Sequence, residues 1–130
     1  MPNAGDIDMA HDFFFLPVTK LATAAINKGD IVTLSAGRSF QDGDVGPYGI
    51  ANQAIASGAD MKGKVVIDGV VYVKTVGALS QFTMATPANS TEVSGTTGVG
   101  DDALAGFWLG MAFDTSASAG GLTRVHLRIT

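Results

Sequence analysis

Few residues in this chain have both the type and the spacing for chemistry. Gly98-Val99-Gly100-Asp101-Asp102-Ala103 has the GxGxxA spacing of a dinucleotide-binding turn. That device needs a strand before it and a helix after it, so that phosphate meets the helix N-terminus; here it lies in a Gly/Thr-rich stretch. Asp42-Gly43-Asp44 opens like a calcium loop but has no third ligand at the right offset and no closing bidentate Glu. The two histidines, His11 and His126, stand far apart with no cluster of further ligands around them, and there is no cysteine. Thiol catalysis, disulfides and cysteine-bound zinc are therefore excluded. No GxSxG elbow is present, and Asp101-Asp102 are consecutive, so their carboxylates diverge rather than converge on a glycosidic bond. Asn89-Ser90-Thr91 is a formal glycosylation sequon without a secretory signal before it. The expectation is a protein that is not an enzyme and holds no cofactor or metal.

Composition points the same way. The 130 residues suffice for one domain; 46% are hydrophobic and only 15% charged, with a net charge of −4. So few charges imply a surface of small polar residues or one covered by a partner. Lys and Arg are nowhere clustered, which predicts no nucleic-acid partner. The longest apolar runs, Phe13–Val18 and Val70–Val73, are far shorter than the roughly 20 residues of a membrane helix, so no membrane partner is expected. A soluble protein made in a cytoplasm follows as the expected setting.

The elements that would position any site are β-strands. Seventeen glycines among many Val, Thr and Ala residues predict an all-β chain of short strands and tight turns, a small barrel or sandwich. Strands are expected at Ile31–Leu34, Ile50–Ile55, near Phe82–Met84, over Ala105–Phe113 and at Thr123–Ile129, where Val125, Leu127 and Ile129 face inward and Arg124, His126 and Arg128 outward. Ala36–Gly49 and the low-complexity Pro87–Asp102 read as loops, and Leu21–Ile26 as either a helical turn or an irregular strand. Lys64–Lys74 (KVVIDGVVYVK) carries Asp68-Gly69 between apolar runs, which predicts a two-residue hairpin. Pairing across that turn puts Val66, Val71 and Val73 on one face. With both faces apolar, the hairpin must be covered twice, so these three valines are candidates for a subunit interface.

Residues 1–20 read as an extended N-terminal arm before a single domain at 21–130. Its end, Asp12-Phe13-Phe14-Phe15-Leu16-Pro17, places aromatics on both faces of an extended segment, and Pro17 forbids a central strand position. Two readings stand side by side: the phenylalanines plug the chain's own core, or they dock on a partner chain. Trp108, inside an apolar run, is either a core residue or a stacking platform for a small ligand or sugar.

Several stretches, in order along the chain, resemble the decoration (cement) proteins of tailed-phage capsids. These are Ala25–Leu34 (AINKGDIVTL), Gly49-Ile50-Ala51, Ser57-Gly58, Gly63–Thr75 (GKVVIDGVVYVKT), Gly110–Asp114 (GMAFD) and Ala119–Leu127 (AGGLTRVHL). The resemblance spans about residues 22–130; the phenylalanine cluster and the Pro87–Asp102 stretch depart from it. It implies a small β-barrel of the β-tulip or β-clip kind with an extended N-terminal arm. It further implies a homotrimer on the outer surface of an expanded virion head that stabilises contacts between subunits of the major capsid protein. On that reading Asp12–Pro17 form a capsid-binding arm. The alternatives are another virion module, such as a head-fibre base or tail-tube-like β domain, and a small-ligand or carbohydrate-binding β domain.

Overall fold

A computed structural model describes residues 2–7, 14–19, 24–58, 62–96 and 109–128. Its described elements are all β: β1 (Phe14–Thr19), β2 (Ile31–Thr33), β3 (Arg38–Ser39), β4 (Tyr48–Ala51), β5 (Lys62–Thr75), β6 (Met84–Pro87), β7 (Glu92–Thr96), β8 (Gly110–Ala112) and β9 (Leu122–Arg128). All nine belong to one sheet. Strands β5-β7-β6-β8-β9 close into a five-stranded barrel because β5 pairs with both β7 and β9. Outside the barrel, β4-β2-β3 continue from one edge of β5, and β1 lies along the other. The expected all-β barrel is the observed architecture.

The predicted hairpin is not formed. β5 runs for 14 residues straight through Asp68-Gly69. A type I′ turn needs positive φ at both central residues, yet only Gly69 has it, at 128°. The reason is tertiary. Val66 lies opposite both Phe15 and Ile50, Asp68 opposite both Phe14 and Arg128, and Lys74 opposite both Glu92 and Leu122. With strands on both edges, the ladder bonds of a long central strand outweigh a local turn preference.

What the Asp-Gly pair produces instead is a bulge. On β1, Phe15 opposes Val66 while Phe14 opposes Asp68, so Ile67 is an extra residue. The extra residue reverses the alternation of faces. Val66, Val71 and Val73 therefore do share one face, as expected, but that face is turned into the main hydrophobic core. All three are 0% exposed in the single chain and pack with Ile31, Ile50, Leu79, Val93, Val125 and Leu127. They have no surface to offer a second subunit, and the interface expectation is corrected accordingly. Before the bulge, the opposite face of β5 turns Val65 into a second cluster with Ile26, Val32, Ala51 and Ile55. The two coverings that the apolar strand demands both come from its own chain.

Other boundaries moved for similar reasons. The Pro87–Asp102 stretch begins as a hairpin between β6 and β7, with Val93 wholly buried. Asn89 shapes its turn: the side-chain oxygen accepts the amides of Thr91 and Glu92, both at 2.9 Å. The predicted Ile50–Ile55 strand ends at Ala51, and Ile55 instead bridges Ile26. Inside the expected Ala36–Gly49 loop lie β3 and the start of β4. In β9, Val125 and Leu127 point inward as expected; Ile129 lies outside the described residues. Gly110 lets β8 approach β9 closely, since a Cβ there would stand 2.1 Å from the His126 carbonyl oxygen.

Candidate contact surfaces

The residues expected to bind a capsid divide between described and undescribed parts of the chain. Asp12 and Phe13 lie outside the described residues, as do His11, the GxGxxA stretch, Asp101-Asp102 and Trp108. Phe14, Phe15, Leu16 and Pro17 form β1, whose backbone pairs antiparallel with the chain's own β5. Among the described strands β5 is its only partner, so β1 is an edge strand, the position at which Pro17 is tolerated.

The acidic turn that resembled a calcium loop has a different job. Asp44 takes both guanidinium nitrogens of Arg38, with Nη2 2.9 Å from Oδ1 and Nη1 on Oδ2. Its Oδ2 also accepts the Thr33 hydroxyl at 2.8 Å and the Gln41 amide at 3.0 Å. A carboxylate engaged by these donors is a structural clamp across β2, β3 and the turn that follows. The Arg38 guanidinium holds the Asp44 carboxyl well below the usual carboxylate range. Tyr48 donates its hydroxyl to the Asp44 carbonyl oxygen at 2.9 Å. Burial, reinforced by the Asp44 carboxylate, pushes its phenol up to about 12. Among the described residues, no three His, Asp or Glu side chains are grouped to hold a metal ion.

A second charged pair braces the far side of the barrel. Asp114 accepts Arg124 Nε and Nη2, each at 2.8 Å, and the Arg124 backbone amide at 3.0 Å. The guanidinium lowers the Asp114 carboxyl. Beside it, His126 stacks on Phe113 at 6.0 Å between ring centroids. This places the outward histidine in an aromatic contact.

The surface feature that sequence reasoning missed is apolar. On the outer barrel wall Met84, Met111 and His126 oppose one another in a cross-strand row over β6, β8 and β9. Met111 is 39% exposed, and beyond it Phe82 is 63% exposed. Phe82 is also the only described non-glycine residue with positive φ, at 64°, and its amide is tied to the Ala112 carbonyl at 2.8 Å. An aromatic ring held in water by a disfavoured backbone carries two costs that folding of the single chain does not recover. Nothing in Ser80-Gln81-Phe82-Thr83 signals this, because exposure here depends on which way a tight turn points the ring.

Compared with known proteins, the chain matches no family model, no curated protein and no solved structure.

Proposed function

We propose that the protein is a capsid decoration protein that binds the outer surface of an expanded phage head as a homotrimer and ties major capsid subunits together. One observation carries this reading. The stretches that resemble decoration proteins are scattered over a hundred residues, and all but Ser57-Gly58 fall on β2, β4, β5, β9 and β8, which pair in that order as one unbroken run. Their adjacency in the sheet supports reading them as one unit. The outward Phe82 and Met111 supply apolar area for a protein partner, and the edge strand β1 supplies backbone groups for one. Three-fold engagement would multiply weak contacts into tight binding.

The test is co-sedimentation of the purified chain with expanded heads stripped of their own decoration protein, followed by electron microscopy. Saturable binding with density at three-fold positions is expected. Density confined to a tail or fibre base would favour the other virion reading, and absence of binding would remove both. Because β1 is part of the chain's own sheet, Phe14→Ala and Phe15→Ala test the arm more cleanly than its deletion. Shell binding should fall more than melting temperature.

A further inference from the structure

Residues 3–7 occupy a built slot on the barrel. Between the first residue of β1, Phe14 opposite Asp68, and the first of β7, Glu92 opposite Lys74, neither strand pairs β5 at Val71 and Tyr72, and the N-terminal segment fills that stretch of its edge. The Gly5 amide donates to the Tyr72 carbonyl at 2.8 Å, the Tyr72 amide donates to the Asp6 carbonyl at 3.0 Å, and Ile7 bridges Val71. Asn52 Nδ2 donates to the Gly5 carbonyl at 3.0 Å, Lys28 pairs with the Asp6 carboxylate, and Ile7 packs on the main core. The walls read the sequence closely. Gly5, at φ +88°, admits no side chain, since a Cβ would stand 2.8 Å from both the Ala51 oxygen and the Gly29 nitrogen. Ala4 sits close enough to Gly29 that a Cβ added at Gly29 would lie 2.7 Å from its own.

We propose that this slot is a recognition site for an extended segment of the pattern small residue, Gly, Asp, aliphatic. The chain's own Ala4–Ile7 fill it here, and the same four residues of a second copy can replace them, linking copies through their N-termini. Chain length supports exchange. From Ile7 to Phe14 there are seven residue steps, while the facing part of β5, Val71 to Asp68, has three. Closure within one chain spans about 10 Å along β5. The connection reaches about 24 Å when extended, enough to enter a neighbour's slot. A tether this short favours the chain's own segment at low concentration, and packing copies side by side shifts the balance. The inference stands apart from the capsid reading, because it requires only a second copy.

Two full-length variants test it, Asp6→Lys and Lys28→Asp. Each alone brings like charges together where the segment enters its slot. Mixed, each segment meets an opposite charge in the other copy. After an equimolar mixture is warmed to near its melting point and cooled, native mass spectrometry should show a mixed dimer at least about five-fold above either self-dimer. Adding Gly5→Leu to both variants should abolish it. A mixture that stays monomeric, or a mixed dimer that survives Gly5→Leu, overturns exchange. Separately, full-length Gly5→Leu should bind the capped peptide of residues 2–7 saturably, and the same peptide carrying Gly5→Ala should fail. No saturable binding, or equal binding by both peptides, overturns the slot.

Discussion

The closed barrel and the β4-β2-β3 extension share one sheet but are secured differently. Around the barrel, buried apolar side chains line the wall: Val71, Val73, Val93, Val125 and Leu127 are each at most 1% exposed. The extension begins in the same way, with Ile31, Val32 and Ile50 wholly buried, but its outer end is short. β3 has two residues, and the turn after it is fastened by the Arg38–Asp44 clamp, with Thr33 and Tyr48 bonded around it. Where a sheet stops, charged and hydroxyl groups take over from strand pairing in satisfying the backbone. The barrel core should therefore answer to volume, and the outer end of the extension to protonation of Asp44.

The sharpest way to break that contrast is a cavity in the barrel. Val71→Ala removes two methyl groups from a site with no exposure and should cost about 2–3 kcal/mol, read as a lower midpoint in denaturant with an unchanged slope. A cost under about 1 kcal/mol would mean that the core is loosely packed.

In the extension, Asp44→Asn should cost about 1–2 kcal/mol, since the Arg38 guanidinium loses its charged partner. The loss should itself depend on pH. With its folded carboxyl held below the ordinary value, Asp44 contributes fully above about pH 4 and progressively less as pH falls toward the folded value. Stability curves of parent and variant should converge on acidification, while Val71→Ala keeps a constant offset. Parallel curves for Asp44→Asn would place the clamp's contribution in shape rather than charge.

The smallest expected effect on folding is at Phe82. Phe82→Gly relieves a left-handed backbone and removes an exposed ring, so stability should change by no more than about 1 kcal/mol. On the proposed function, binding to shells should nevertheless weaken. A large fall in melting temperature would make the ring part of the fold rather than of a contact surface.

Fold class was legible because turn residues and β-branched residues alternate at short intervals, and β9 was legible because its polarity alternates cleanly. Lys64–Lys74 shows where local reading stops. The grouping of Val66, Val71 and Val73 came through even though the hairpin did not. A two-residue turn and a one-residue bulge both reverse which positions share a face, and so both satisfy the same pattern of apolar residues. Only neighbours on both edges of β5 choose between them. The β6–β7 hairpin stayed hidden because Val93 is its only large buried residue amid Ser, Thr and Gly. The slot for Ala4–Ile7 was unreadable because its specificity lies in the spacing of backbone atoms at Gly29 and Ala51, not in any motif.

By itself the sequence determined that the described elements are β and that the strand around Asp68-Gly69 must be covered on both faces, since so long an apolar run cannot face water. Which strands cover β5, that the covering comes from the same chain, and that Phe82 stands in solvent while Gly5 is enclosed were decided only in the tertiary structure. Such outcomes depend on pairings between residues far apart in sequence, and on closure of the sheet into a barrel, which no local stretch encodes.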